Sequence, residues 1–376
     1  MKPHHLLAIF TFIIPVISFS QTAEDLYDEG RQLKDEKKSA EAIKKFQAAL
    51  DLKPGYTEAR YEMGWCLNDT KDYTKAISTL RMARVGWPAV PKVWFELGYA
   101  FEKTNQNDSA VVCYNKCISL KPDYSLAYKQ LGYIDYINEN YTSALERLKK
   151  FAELKNGTVE DYLFWYRKGF MENAAKDYNA SKVSLNNSVK YKTDYINTWL
   201  ELGFACKNLK ENDEAISYYN EAMKIDPKSH IPYNGIGEVY RDNYKDMTKA
   251  MEWYQKSLGV KKDERKACFG MGYCYNNLEK YNEAIPYLKK AIEQESTYTA
   301  AYTELGYSYY MLKNNSDALI NLNKSISLNP NGANPYYYAA LVYIQLKDKA
   351  KAQEMVNGYK RAGKDATSIQ QKVDAL

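Results

Sequence analysis

Histidine is nearly absent from this chain. Its 376 residues include three histidines, and two of them, His4 and His5, fall within the first 20 positions. Beyond that point His230 stands alone, which excludes a histidine-clustered metal site and argues against a Ser-His-Asp relay. It precedes a helix opening near Pro232 and reads as a surface-loop residue. A strong charge of either sign is missing too: the formal net charge is +5, and it falls to +4 once Lys2 is removed with residues 1–20. Spread over so long a chain, that balance argues against nucleic acid as a ligand. Phosphate-loop chemistry is only mimicked. Asn234-Gly235-Ile236-Gly237 and Gly270-Met271-Gly272 lie inside helical patterns, and neither follows a strand. Carboxylate neighbours such as Glu24/Asp25 and Glu293/Glu295 sit on polar faces, and no catalytic, cofactor or metal constellation emerges. The chain reads as non-enzymatic.

Long apolar runs are scarce as well. Leu6 to Phe19 is almost wholly apolar, follows the basic Met1-Lys2-Pro3-His4-His5, and ends on small residues at Ser18 to Ser20. At 14 residues, broken by Pro15, it is short for ~30 Å of hydrocarbon, and it reads as a signal peptide over 1–20. No cysteine follows it for a lipid anchor, so the mature chain is expected to be periplasmic or secreted, without stable membrane insertion. Six cysteines remain, and export invites a disulfide reading. Their positions argue otherwise. Cys113 and Cys117 lie one helical turn apart, Cys268 and Cys274 are too far apart on one helix, and Cys66 and Cys206 fall in a repeating small-residue region. All six are expected to be small buried apolar residues.

What the chain has in abundance is tyrosine, 36 residues of it, and a repeat. The phrase Trp94-Phe95-Glu96-Leu97-Gly98-Tyr99-Ala100 returns with its glycine at Gly30, Gly64, Gly132, Gly169, Gly203, Gly237, Gly272 and Gly306, and with Ala340 in the last copy. The intervals are 34, 34, 34, 37, 34, 34, 35, 34 and 34 residues. Such a period over most of a chain marks a helical solenoid. Within each unit two helical stripes are separated by a polar break, as at Asn105 to Asp108. Alanine recurs at Ala42, Ala76, Ala110, Ala144, Ala215, Ala284, Ala318 and Ala352, and proline at Pro54, Pro88, Pro122, Pro227 and Pro330. Mid-helix glycine costs ~1 kcal/mol relative to alanine, so its recurrence implies close helix crossing.

Trp94-x-x-Leu97-Gly98 and Trp199-x-x-Leu202-Gly203, with Phe101, Ala110, Tyr114 and Pro122 following the first, resemble the tetratricopeptide repeat. The resemblance, to an exported bacterial type, implies an all-α, right-handed superhelical solenoid of about ten repeats over 21–364. A capping helix over 365–376 would cover the last face. Three extra residues around Lys155 to Thr158 mark a bend near 155–160 or a longer loop; one extra residue falls in the seventh unit's internal turn, near Asn243 to Met247; and Ser181 replaces alanine in the fifth.

In this family the first helix of each repeat lines the concave side, and the residue after the glycine points into the groove. That resemblance implies a partner-binding row of Trp65, Tyr99, Tyr133, Phe170, Phe204, Tyr273 and Tyr307, interrupted by Glu238. Glu102, Lys103, Asn173, Lys207, Arg241 and Asn276 would edge it, with amides able to pair with a peptide backbone. The competing reading assigns the rings to packing and the asparagines to helix C-caps in the left-handed conformation. The expected partners are protein or peptide segments; the alternative is envelope polysaccharide stacked on the rings. Aromatics stand where a chaperone-tail clamp needs asparagine, so that ligand is not expected.

Overall fold

The computed structural model describes residues 21–376, and every regular element among them is helical. The signal peptide read over 1–20 lies outside the described residues. The chain divides into two compact units between Thr158 and Val159. The first holds four hairpins: α1 (Ala23–Asp35) with α2 (Ser39–Leu52), and α3 (Thr57–Asp69) with α4 (Tyr73–Gly86). Next come α5 (Pro91–Lys103) with α6 (Asn107–Leu120), and α7 (Ser125–Ile137) with α8 (Tyr141–Leu154). The second unit opens with α9 (Tyr162–Ala174) and α10 (Tyr178–Tyr191), then α11 (Ile196–Leu209) and α12 (Asn212–Ile225). It continues with α13 (Ile231–Glu238), α14 (Met247–Val260), α15 (Arg265–Asn277) and α16 (Tyr281–Gln294). Its last members are α17 (Thr299–Met311), α18 (Asn315–Leu328), α19 (Ala333–Gln345), α20 (Lys349–Arg361) and α21 (Thr367–Asp374).

The glycine slot is explained by what faces it. A Cβ on Gly98 would lie 2.9 Å from the Tyr114 ring, and one on Gly64 would lie 2.6 Å from Leu80. The same relation joins Gly169 to Leu185, Gly203 to Tyr219, Gly272 to Leu288 and Gly306 to Leu322. Each glycine thus admits the largest inward side chain of its own second helix. Tyr114, Leu80, Leu148 and Leu185 are fully buried, and each contributes roughly 1.5–3 kcal/mol by leaving water. Alanines from Ala42 to Ala352 in the repeating slot are equally buried where the two helices cross. Ser181, the exception, donates its hydroxyl to the Gly169 carbonyl at 2.8 Å, so the polar atom is paired. All six cysteines are free and buried, and burial pushes thiols such as Cys66 and Cys206 up to about 12.

The turn inside every hairpin carries one residue of positive φ, and none is glycine: Lys37, Lys71, Asn105, Glu139, Lys176, Lys210, Lys245, Glu279, Lys313 and Lys347. Asn68, Asn173, Asn208, Asn276 and Asn277, further inside the ends of their first helices, do not take this role. Asn208 and Asn277 instead return their amides to the carbonyls of Phe204 and Tyr273 four residues earlier. The extra residue of the seventh repeat is also placed differently from expectation. It is absorbed one turn earlier, in a π-helical turn over Val239–Tyr244 that continues α13. The left-handed Lys245 and the Asp246 cap on Lys249 then keep their regular geometry.

Within each unit the first helices of successive repeats touch directly, α1 with α3, α3 with α5, and α9 with α11 through to α17 with α19. Among the described residues, successive second helices make no comparable approach. The first helices are therefore the inner, concave side of each unit. At the C-terminal end Ile369 and Val373 of α21 join Ala340, Ala352 and Val356 in one buried cluster.

Candidate partner-binding faces

Position after the glycine decides which way a ring points. The glycine faces its own second helix, so the next residue, 100° further round, is turned to the inner face. Trp65, Tyr99, Tyr133, Phe170, Tyr273 and Tyr307 are all half-buried there, and Phe204 is 38% exposed. The first tyrosine of the preceding second helix abuts three of them edge-on: Tyr73 on Tyr99 at 6.2 Å, Tyr178 on Phe204 at 6.1 Å and Tyr281 on Tyr307 at 6.0 Å. A cation lies over several ring faces. Lys34 is 4.5 Å from the Trp65 centroid, Lys103 is 4.9 Å from Tyr99, Lys207 is 5.2 Å from Phe204 and Arg241 is 5.4 Å from Tyr273. The rings thus do two things at once: each packs by an edge and keeps part of its surface in the groove.

The charged residues expected to edge the row are largely engaged with one another. Glu102 accepts from the Tyr114 hydroxyl at 2.8 Å, from Gln130 at 3.1 Å and from Lys103 at 3.0 Å. Lys207 pairs with Glu238, and Arg241 forms a fork with Asp242 through two bonds of 2.7 Å.

Asn173 and Asn276 are placed differently from the polar groove edge expected of them. They are 4% and 3% exposed, and each spends its amide on the next repeat. Asn173 Nδ2 donates to the Glu201 carbonyl at 3.1 Å and to its carboxylate at 2.7 Å; Asn276 does the same to Glu304 at 3.1 and 2.9 Å. Asn68 repeats the brace on Glu96 at 3.0 and 2.9 Å. Burial raises all three carboxyls, opposed by the asparagine amide, and Glu96 is pushed up to about 7. Asn276 Oδ1 accepts from Ser308 at 2.7 Å, whereas Asn68 and Asn173 leave Oδ1 buried without a partner. The position of Ser308, 32 residues on, is Ala100 in one case and Ala205 in the other. The unpaired acceptors therefore face the helix interface and not the groove.

Each unit carries a cavity on its inner face. That of the first unit is about 370 Å³, bordered by Trp65, Tyr73, Glu96 and Tyr99. That of the second unit is about 770 Å³, between Phe170, Glu201, Phe204, His230, Asn234 and Glu264. Both volumes are in the range that holds a ligand or a partner's side chains. The larger one collects residues that the reading of the row missed. His230 is half-buried, and its Nε2 lies 3.9 Å from Glu264 Oε1, beyond direct hydrogen bonding. Burial lowers the imidazole below its ordinary value. Glu264 is buried and caps α15: burial pushes its carboxyl up, but the Ala267 N–H at 2.8 Å and the Asn234 amide at 2.8 Å outweigh this and hold it low. Gly235 occupies the slot where Glu96, Glu201 and Glu304 stand in other repeats, and the Tyr219 ring leans into the space it leaves. Glycine recurs in that slot at Gly270, against Tyr254, so the slot alone did not signal the site.

Among the described residues one cluster has metal-like spacing, with the ligand atoms of Cys206, Glu211 and Glu214 all within 4.8 Å of one another. Lys182 already joins both carboxylates, at 2.7 and 2.6 Å, and the thiol is held at about 12, so the cluster reads as an ion-pair network. Among the same residues no helix is long and apolar enough to cross a membrane.

Models described as tetratricopeptide repeat match residues 33–84, 91–124, 196–229 and 266–298. Among curated proteins, anaphase-promoting complex subunit 3 of Schizosaccharomyces pombe is 24% identical over 195 residues, covering 50% of this chain and 28% of that protein. The peroxisomal targeting signal receptor of Saccharomyces cerevisiae is 25% identical over 202 residues, covering 51% of this chain and 32% of the receptor. The chain thus spans about a third or less of the length of these relatives. Among solved structures, the anaphase-promoting complex hetero-tetramer Cut9-Hcn1 aligns over 94% of this chain and 90% of that one, at 14% identity and a TM-score of 0.52. A tetratricopeptide repeat protein from Parabacteroides merdae aligns over 66% and 97%, at 16% identity and a TM-score of 0.52. These likenesses are to the fold.

Proposed function

The chain is a tetratricopeptide repeat protein, and from that premise we propose that it is a non-enzymatic scaffold that binds protein segments along the inner faces of its units. The observation that carries this reading is the row of half-exposed rings at one repeat position, several of them with a cation over the ring face. Rings supply contact area at little entropic cost, and the neighbouring carbonyls, amides and charges suit an extended peptide. The cations lie over ring faces that a stacked sugar would need, which favours peptide over envelope polysaccharide. The signal read in residues 1–20 places the partner in the periplasm or outside the cell under this proposal. Sequencing of the mature N-terminus tests that part: it should begin at Gln21, and a mature chain that retains Met1 would refute it.

The binding claim is tested by affinity capture from envelope extracts with the full mature chain, its Phe170→Ala/Phe204→Ala variant, and Val112→Ala as a control on an outer helix. Captured protein should fall about tenfold with the ring variant, or ~1.4 kcal/mol, and stay level with the control. Equal capture by all three chains, at unchanged helical circular dichroism, would assign the rings to packing alone.

A further inference from the structure

The second unit's cavity differs from its surroundings in electrostatic terms. Glu201 and Glu264 both line it, and no lysine or arginine among the described residues pairs with either carboxylate. The nearest charged neighbour of Glu264 is His230, at 3.9 Å, and that imidazole is pushed toward its neutral form by burial. The third lining carboxylate, Glu238, is already paired with Lys207. Lys176 and Lys266 also border the cavity, but both side chains are exposed and neither ammonium pairs with these two acids; Lys266 meets Glu264 through its backbone N–H alone. Asn234 braces Glu264. It is 4% exposed, its amide is spent on Glu264, and its Oδ1 has no hydrogen-bond partner. Unlike Asn173, it has no missing serine to account for the deficit. Ionised carboxylates drawn out of water with no lysine or arginine beside them are costly, so an occupant able to donate hydrogen bonds and carry positive charge would be favoured there.

Phe170 and Phe204 form the apolar side of the same cavity, and about 770 Å³ is ample for a long side chain with part of its backbone. We infer that this cavity is the specificity pocket of the scaffold, and that it seats a lysine or arginine side chain of the partner segment. The charged head would lie against the acidic lining that Glu201 and Glu264 supply, and the aliphatic stem would lie against the two phenyl rings. The inference rests on the peptide-binding reading above and adds to it the chemistry of the bound residue.

The test is selection of a random dodecapeptide display library on the full chain, followed by fluorescence anisotropy with the recovered peptides. They should share a lysine or arginine at one fixed position. Replacing it by acetyl-lysine or citrulline, which keeps the shape and removes the charge, should weaken binding at least tenfold. Glu201→Gln/Glu264→Gln should weaken binding of the charged peptide to a similar degree and abolish the discrimination, with the circular dichroism spectrum unchanged. Should that double variant fold poorly, the peptide-side exchange still decides, because it leaves the protein untouched. Recovered peptides without a shared basic residue, or a neutral analogue binding within twofold, would overturn the inference while leaving the scaffold reading intact. Recovery of no peptide at all would overturn both.

Discussion

The inner faces of the two units start from the same parts and end differently. In the first, the Asn68–Glu96 brace is followed by Gln130 in the glutamate slot, and Tyr114 beside it directs its hydroxyl to Glu102. The cavity there is about 370 Å³. In the second, the Asn173–Glu201 brace is followed by a repeat that breaks the pattern: Gly235 stands in the glutamate slot, Asn234 and Glu264 form a substitute pair, and a π-helical turn follows. The cavity is about twice as large, at 770 Å³. Regular repetition builds the architecture, and the larger cavity lies where the pattern is broken. π-helical turns inside α-helices often accompany functional sites, in keeping with that contrast.

The contrast breaks most decisively at Gly235. A Cβ there would lie 2.4 Å from Tyr219 Cζ, so Gly235→Gln, which restores the side chain found in the first unit, should cost about 2–3 kcal/mol in denaturant unfolding. Adding Tyr219→Leu, the residue type that Leu80 and Leu185 place beside Glu96 and Glu201, should recover much of that loss. A single variant as stable as the parent would show that the glycine is not required by the ring.

The carboxylates offer a sharper, pH-resolved version of the comparison. Glu96 titrates at about 7 in the folded chain against an ordinary 4.5, so the folded state holds its proton longer. Stability from that site is therefore highest at low pH and is lost as pH rises from about 4.5 to about 7. Glu96→Gln should match the parent at pH 4 and exceed it at pH 8 by on the order of 1–3 kcal/mol. Glu264, held low by the Ala267 N–H and Asn234, has the opposite sign. Its ionised form stabilises the fold above the ordinary carboxyl range, and this is lost as pH falls through its lowered pKa, so Glu264→Gln should be the weaker chain at pH 8. Melting temperatures from about pH 2 to about pH 8 read both effects, and curves parallel to the parent's over that whole range would contradict the assignment.

Features shared by both units should respond alike. Lys71 in the first and Lys210 in the second hold φ of 65° and 63°, and glycine at either position should add about 0.5–1 kcal/mol by removing the left-handed strain. The smallest effect concerns the orphaned asparagine oxygens. Ala100→Ser and Ala205→Ser each supply the hydroxyl that Ser308 gives Asn276, and each should add about 0.5–1 kcal/mol in urea melts. A loss on either substitution would place those oxygens somewhere other than the helix interface.

The fold was legible because one fault-tolerant signal, the glycine slot, recurs with its alanine and its large inward side chain at fixed offsets. Local irregularity was harder to read. An extra residue was visible in the seventh repeat, but its cost is lower as a π-helical turn than as a lengthened loop that would disturb Lys245 and the Asp246 cap. The direction of the post-glycine rings was legible, since it follows from helical geometry. The setting of Asn173 and Asn276 was not, because their partners Glu201 and Glu304 lie 28 residues away and meet them only when successive first helices are stacked. His230 read as loop for the same reason: Glu264, which defines its setting, is supplied by the following repeat.

The central claim is that the inner face of the second unit, around α9, α11 and α13, is where a partner segment binds. Backbone hydrogen exchange of the full chain, with and without the tightest peptide recovered by display selection, tests it most directly. The expected result is slowed exchange concentrated in α9, α11, α13 and the start of α15, with the outer helices α10, α12 and α14 unchanged. Protection confined to the outer helices, or to the first unit, would contradict it.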